Sequence, residues 1–280
     1  MKCLDSLLKF FILKFRSKTG RETCESADFF IKLYKDANEC AYECRVLSEI
    51  AKANPALFHV PRVFKVTIDS SGPSMIVMER IKGVPLYNLI MDFLLLKDRK
   101  AIKISHVIGR ALKELHNLNL KGLHIGDFPS SLLFLKFKIL ELTNMLVRIN
   151  ILDHALNKTI INAVEKIDHV DDKIFTTVNL HGEFYFTHII LSREKCVFLD
   201  FHDACRGPSY FDIAMLSTSL YASLTLPFRT SKQLEPLIEA FLTGYYEKDL
   251  NTEIINSIKL AELYVTLREI LTYARALCSK

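Results

Sequence analysis

Short apolar runs broken by turn residues fill roughly the first eighty positions, and longer runs with helical spacing fill most of the rest. "LLKFFILKF" and "ADFFIKLY" read as strands flanking "RSKTGRETCES", whose Gly20 and polar neighbours read as a turn, so residues 7–34 are expected to form a hairpin. In "ANECAYECRVLSEIAK", Ala41, Val46, Leu47 and Ile50 approximate a helical stripe that stops near Asn54-Pro55. "VPRVFKVTID", a turn at Ser70-Ser71-Gly72-Pro73 and "SMIVMERI" read as a second strand pair. After Gly83-Val84-Pro85 the period lengthens: "LYNLIMDFLLL", "HVIGRALKELHNL", "SSLLFLKFKILELTNMLVRINIL" and "TIINAVEKI" predict helices. The pattern turns strand-like from Phe175 to Phe201 and helical again from Asp212, with "LEPLIEAFLTGYYEKD" and "INSIKLAELYVTLREILTYARAL" the clearest segments. The expectation is α+β: a small N-terminal sheet lobe with one helix over residues 1–82, and a larger, mostly helical lobe over 83–280.

Composition narrows the class. Half of the 280 residues are hydrophobic, enough for a sizeable core, which argues against disorder. The excess of 37 Lys and Arg over 32 Asp and Glu gives +5, but the basic residues are scattered, so no nucleic-acid partner is expected and a phosphate-bearing ligand would suffice. The seven cysteines are odd in number and contain no C-x-x-C pair, which fits a reducing cytoplasm without a disulfide framework or zinc site. Cys40 and Cys44 would share a helical face as small buried thiols. Lys9 and Lys14 interrupt the apolar N-terminus, a poor fit to a signal peptide, and no apolar run approaches the roughly 20 residues of a membrane span. Peripheral membrane contact by this basic segment stays open, and the oligomeric state is unspecified.

The chemistry gathers in two nearby strings. "HGEFYFTHII", residues 181–190, sets two histidines and a glutamate among apolar residues, and "FLDFHDACRGPSYFDIA" follows after a gap of seven residues. His181, Glu183, His188, Asp200 and Asp212 thus share a turn-rich span between helical regions, where acidic loop residues are well placed to hold a metal. These strings resemble the protein-kinase-like phosphotransferases of the aminoglycoside phosphotransferase and choline kinase type. "HGE" stands in place of that group's His-Gly-Asp, His188 in place of its Asn, "LDF" supplies the metal-binding Asp as Asp200, and "DACRGPSYFDIA" reproduces the spacing through Gly207 and Pro208 to Asp212. "FIKLY" is similar to the strand of the nucleotide-binding lysine, giving Lys32, although Lys35 offers another register. "YECRVL" is similar to the helix of its ion-pair glutamate, giving Glu43, with Glu39 as competitor. "MIVMERIKGVPL" resembles the hinge, with Met78, Glu79 and Ile81 at the adenine site. "IGRALKELHNL" resembles the first long helix of the helical lobe, and "FLTGYY" a C-terminal one. "HIGDF" at 124–128 is discounted because no metal-ligand pattern follows it.

The resemblance implies a bilobal protein-kinase-like fold and an ATP-dependent, metal-dependent transfer of a γ-phosphate to a hydroxyl of a small molecule or sugar. Phosphoryl transfer passes through a loose, highly charged transition state, so positioning and charge neutralisation dominate. Lys32 with Glu43 would hold the donor phosphates, Asp200 and His188 a Mg²⁺ or Mn²⁺ ion, and Glu183 would take the acceptor proton. His181 joins Glu183 in the catalytic loop, more as its hydrogen-bonded support than as a proton carrier, and Asp212 would bond loop backbone from a helix start. Two departures matter: Glu183 is one methylene longer than Asp, and an imidazole nitrogen at His188 suits a softer ion than Mg²⁺. "EFYFTHII" and "LDFHDA", with His202, also resemble lipopolysaccharide core kinases, which implies a core sugar kinase as an alternative. With Gly20 the sole glycine before Gly72 there is no clear Gly-rich phosphate loop, so a catalytically silent nucleotide- or partner-binding module is the second class. The acceptor pocket is expected from residues 117–175.

Overall fold

The computed structural model describes residues 15–16, 22–25, 28–69, 72–96, 99–192, 195–222 and 231–278. Its N-terminal sheet has the order β1-β2-β3-β6-β5, from β1 (Phe15–Arg16), β2 (Glu22–Glu25), β3 (Phe29–Tyr34), β5 (Val63–Thr67) and β6 (Ser74–Glu79), and its pairs are antiparallel. The expected hairpin is thus corrected: "ETCE", read as part of a turn, is itself the strand between β1 and β3. Residues 7–14, Gly20 and the Ser70-Ser71 half of the second turn lie outside the described residues.

Along β3 burial alternates, so Lys32 and Tyr34 face inward while Lys35 is exposed. Against that face lies α1 (Ala37–Ala53), capped by the Asp36 carboxylate accepting from the Asn38 N–H and ended by Asn54 in the left-handed region. Its buried stripe is Cys40, Glu43, Val46, Leu47 and Ile50, with one carboxylate among apolar neighbours, whereas Glu39 is exposed. Cys40 is buried and Cys44 half-buried, and burial pushes the Cys40 thiol up to about 11, which keeps it protonated and inert.

Helices α2 (Leu86–Leu96), α3 (Lys100–Asn117), α4 (Leu132–Arg148), α5 (His154–Glu165), α6 (Tyr210–Ala222), α7 (Glu235–Tyr246) and α8 (Thr252–Cys278) build the remainder around one large core. Between α5 and α6 come β8 (Thr177–Leu180), β9 (Ile189–Leu191), β10 (Cys196–Phe198) and β11 (Cys205–Pro208). A second sheet, β4-β10-β9-β7, joins β4 (Phe58–His59) and β7 (Val84–Pro85) to these later strands, with β4 parallel to β10. The fold is α+β and bilobal. Among the described residues no helix is long and apolar enough to cross a membrane.

Candidate active site

Lys32 is 6% exposed and its Nζ lies 2.7 Å from Glu43 Oε2 and 2.5 Å from Asp200 Oδ1. A buried ammonium persists only if it is paired. Burial disfavours its charge, but the Glu43 and Asp200 carboxylates outweigh that and hold its pKa above the ordinary lysine value. The Tyr34 hydroxyl donates to Glu43 Oε2 at 2.6 Å, so strand and helix fix the same carboxylate oxygen. Two neighbouring elements and a loop 168 residues beyond Lys32 therefore meet at one ammonium.

Asp200 follows β10 with φ +68°, a left-handed turn unusual for a non-glycine residue. Its Oδ1 accepts from Lys32 and, at 2.6 Å, from His202 Nδ1, while Oδ2 lies 3.9 Å from His188 Nε2. Burial would raise its pKa, yet His202 and Lys32 hold it far below the carboxylate range. His202 has a side chain only 5% exposed, and its Nε2 lies 3.1 Å from Asp203 Oδ2 and 3.6 Å from Glu183 Oε2. Burial pulls its pKa down, but the hydrogen bonds to Asp200 and Asp203 prevail and raise it to about 9.

The loop after β8 is held from below. Asp212, fully buried at the start of α6, accepts from the His181 N–H at 2.7 Å and the Gly182 N–H at 3.0 Å. His116 of α3 joins the same carboxylate at 3.0 Å and meets the Tyr245 hydroxyl of α7 at 2.8 Å. Gly182 has φ +88°, and a Cβ there would lie 2.1 Å from the Asp203 carbonyl oxygen, so the loop requires glycine. The His181 ring is buried; its Nε2–H donates to the Leu199 carbonyl at 2.8 Å, leaving Nδ1 to accept from the Glu183 N–H at 3.4 Å. Burial lowers its pKa to about 4, so it stays neutral and tied to backbone.

His188 lies in the 3₁₀ turn Phe186–His188, and its Nδ1 contacts the Glu183 carbonyl at 2.9 Å. A carbonyl only accepts, so Nδ1 carries the proton; burial lowers the pKa of this ring, and the neutral tautomer leaves an Nε2 lone pair facing Asp200 Oδ2. A cation between these two acceptors would satisfy both. One ligand atom from each of Glu183, His188 and Asp200 lies within 4.8 Å of the others, so nitrogen and oxygen donors converge where a divalent ion fits.

The structure thus gathers Lys32, Glu43, Asp200, Glu183 and His188 into one cluster, with His181 beneath it. The residues expected at the hinge lie farther along the sheet: Met78 is buried beside Tyr34, Cys40 and Ile76; Glu79 ends β6, its N–H donating to the Arg62 carbonyl at 2.8 Å; Ile81 follows, half-buried. Sequence reasoning noted His202 only by position and missed Asp203, Tyr34, His116 and Tyr245. The alternation that buries Lys32 could have found Tyr34. In "HIGDF", His124 Nδ1 contacts the Tyr42 hydroxyl at 3.0 Å, and Phe128 packs on Phe211.

Solved structures share this architecture. The GDP complex of wild-type aminoglycoside 2'-phosphotransferase-IIIa is 15% identical with a TM-score of 0.69, over 98% of this chain and 91% of that one. A choline/ethanolamine kinase family protein from Mesorhizobium loti is 13% identical with a TM-score of 0.59, over 98% and 87%. The aminoglycoside phosphotransferase APH(3'')-Id from Streptomyces rimosus, in complex with ADP and streptomycin, is 13% identical with a TM-score of 0.54, over 95% and 97%. Among curated proteins, no sequence matches. The model of the phosphotransferase enzyme family APH matches residues 14–249, and the chain belongs to that family.

Proposed function

We propose that this phosphotransferase moves the γ-phosphate of ATP to a hydroxyl of a small molecule or sugar, with a divalent ion held by Asp200 and His188. The observation that carries this reading is the convergence of Lys32, Glu43 and Asp200 beside the His188 lone pair, which unites groups suited to phosphate and to a cation in one cluster. Lys32 binds the donor phosphates and Glu43 orients it, because a lysine held in a fixed direction contributes charge without reorganising during the reaction. Met78, Glu79 and Ile81 border the adenine. Glu183 receives the proton of the acceptor hydroxyl as that oxygen bonds to the γ-phosphorus and the bond to the ADP oxygen breaks. A Mg²⁺ or Mn²⁺ ion, when bound, neutralises charge on the phosphates. His181 holds the loop, and Asp212 holds His181.

A division after residue 82 separates the nucleotide-binding lobe from the lobe with the catalytic and metal-binding loops. The acceptor is a small molecule or a sugar, with a lipopolysaccharide core sugar the alternative that His188 and His202 favour. A cytoplasmic setting suits a nucleotide donor. Thermal-shift titration with ATP or GTP and Mg²⁺ or Mn²⁺, followed by a transfer assay over candidate acceptors, tests the reading. Glu183→Gln is expected to keep nucleotide binding and lower turnover at least about 100-fold. A protein that binds ATP yet turns over with neither ion supports instead the silent-module reading, which the glycine-poor N-terminus favours.

A further inference from the structure

His202 connects groups that the proposed reaction uses separately. It lies two residues beyond Asp200, and Phe201 between them is fully buried with its ring 4.4 Å from that of His181. With Phe201 anchored in the core, Asp200 and His202 meet through Oδ1 and Nδ1 at 2.6 Å. On the far side of the same ring, Nε2 meets Asp203 Oδ2 of its own loop at 3.1 Å and comes within 3.6 Å of Glu183 Oε2 on the other loop.

We propose that His202 is a positioning residue that fixes the metal-binding carboxylate of Asp200 and the longer arm of Glu183 relative to each other, an inference that rests on the phosphotransferase reading. Two consequences follow from the geometry. With Oδ1 occupied by Lys32 and His202, the Asp200 carboxylate cannot rotate freely, and Oδ2 stays turned toward His188. Glu183 carries one more rotatable bond than an aspartate, and the ionic contact of its carboxylate with the His202 ring at 3.6 Å, longer than a hydrogen bond, offsets that freedom where a displacement of about 1 Å costs on the order of a hundredfold in rate. Groups that orient a metal ligand typically contribute about ten- to hundredfold in metal affinity or activity.

The two arms of the ring can be removed separately. Asparagine places its amide nitrogen near the position of Nδ1, and glutamine near that of Nε2. Mn²⁺ binding to the ADP complex, followed by electron paramagnetic resonance, reports the Asp200 arm, and kcat at saturating Mn²⁺ reports the Glu183 arm. His202→Ala is expected to lose about 10- to 100-fold in both. His202→Asn should hold Mn²⁺ within about threefold of wild type and lose kcat, and His202→Gln should do the reverse. Wild-type values of both quantities in His202→Ala overturn the proposal. If that variant fails to fold, equal effects of Asn and Gln on the two quantities overturn it, because the ring would then act only as structural filling. A wild-type protein that binds Mn²⁺ no better with ADP than without it overturns the phosphotransferase reading and this one with it; intact wild-type binding with unaffected His202 variants overturns this one alone.

Discussion

At Gly182 the backbone of the loop after β8 packs against that of Asp203. The glycine's φ of +88° lies outside the range side chains prefer, and its missing Cβ is the space through which the Asp203 carbonyl passes. Alanine there meets a left-handed penalty of about 1–2 kcal/mol and a contact with main chain that cannot rotate aside. Gly182→Ala is therefore expected to lower unfolding free energy by at least about 2 kcal/mol in urea titration, and to lower turnover more than stability alone explains, since Glu183 shifts with the loop. Unchanged values of both would show that the loops do not press on each other. Residues of this kind differ in how visible they are in sequence. Lys32, Glu43 and Asp200 are legible through the resemblance of the strings around them, and burial separates Lys32 from Lys35 and Glu43 from Glu39. His202 and Asp203 are not legible in this way, because their contacts depend on the positive φ of Asp200, a conformation that no local pattern announces.

At the scale of elements, the crossing of α3 and α7 carries the framework of the loop. Gly109 and Gly244 face across it: a Cβ on Gly109 would lie 2.1 Å from the Phe241 carbonyl oxygen, and one on Gly244 2.1 Å from that of His106. The same two helices supply His116 and Tyr245, which stand behind Asp212. Alanine is the better helix former by about 1 kcal/mol, so an isolated helix would gain from Gly244→Ala. Here the methyl would force the backbones apart, and overpacking costs about 1–3 kcal/mol or more, so the expected net result is a loss of stability, measurable by thermal unfolding. A gain would mean that the helices are not in backbone contact. Helix α1 is tied across the molecule by the Tyr42 hydroxyl donating to the Ala204 carbonyl at 2.5 Å and by Arg45 donating to the Gly122 carbonyl at 2.8 Å. Helices such as α1 and α3 were legible because each carries an apolar stripe, whereas α6 is buried nearly all round. Strand β2 was not legible, since "ETCE" has the composition of a turn and becomes a strand only through neighbours on both sides. Strand β4 is two residues long, and its partner lies at Cys196–Val197, beyond any local window.

For the whole molecule, the change of apolar period near residue 83 made two lobes legible but said nothing of how they are joined. The joint is the sheet β4-β10-β9-β7, in which Phe58 stacks on Phe198 with ring centroids 4.7 Å apart and both side chains are fully buried. Gly83 lies against β9, where a Cβ would sit 2.4 Å from the Leu191 carbonyl oxygen. Residues before and after the change of period thus share backbone hydrogen bonds and one core, so neither part can unfold without exposing apolar surface of the other. Calorimetry is expected to give a single transition with calorimetric and van't Hoff enthalpies in agreement. A nucleotide–metal ligand at about 100 times its Kd adds about 2.7 kcal/mol to the folded state. Spread over a chain of this size, that shifts Tm by roughly 5 °C. Because Lys32 of the N-terminal sheet and Asp200 after β10 are hydrogen-bonded to each other, a ligand that engages both should move the whole transition. A ligand that instead splits the endotherm, raising one component and leaving the other in place, would mean that the lobes unfold independently and that the shared sheet does not couple them.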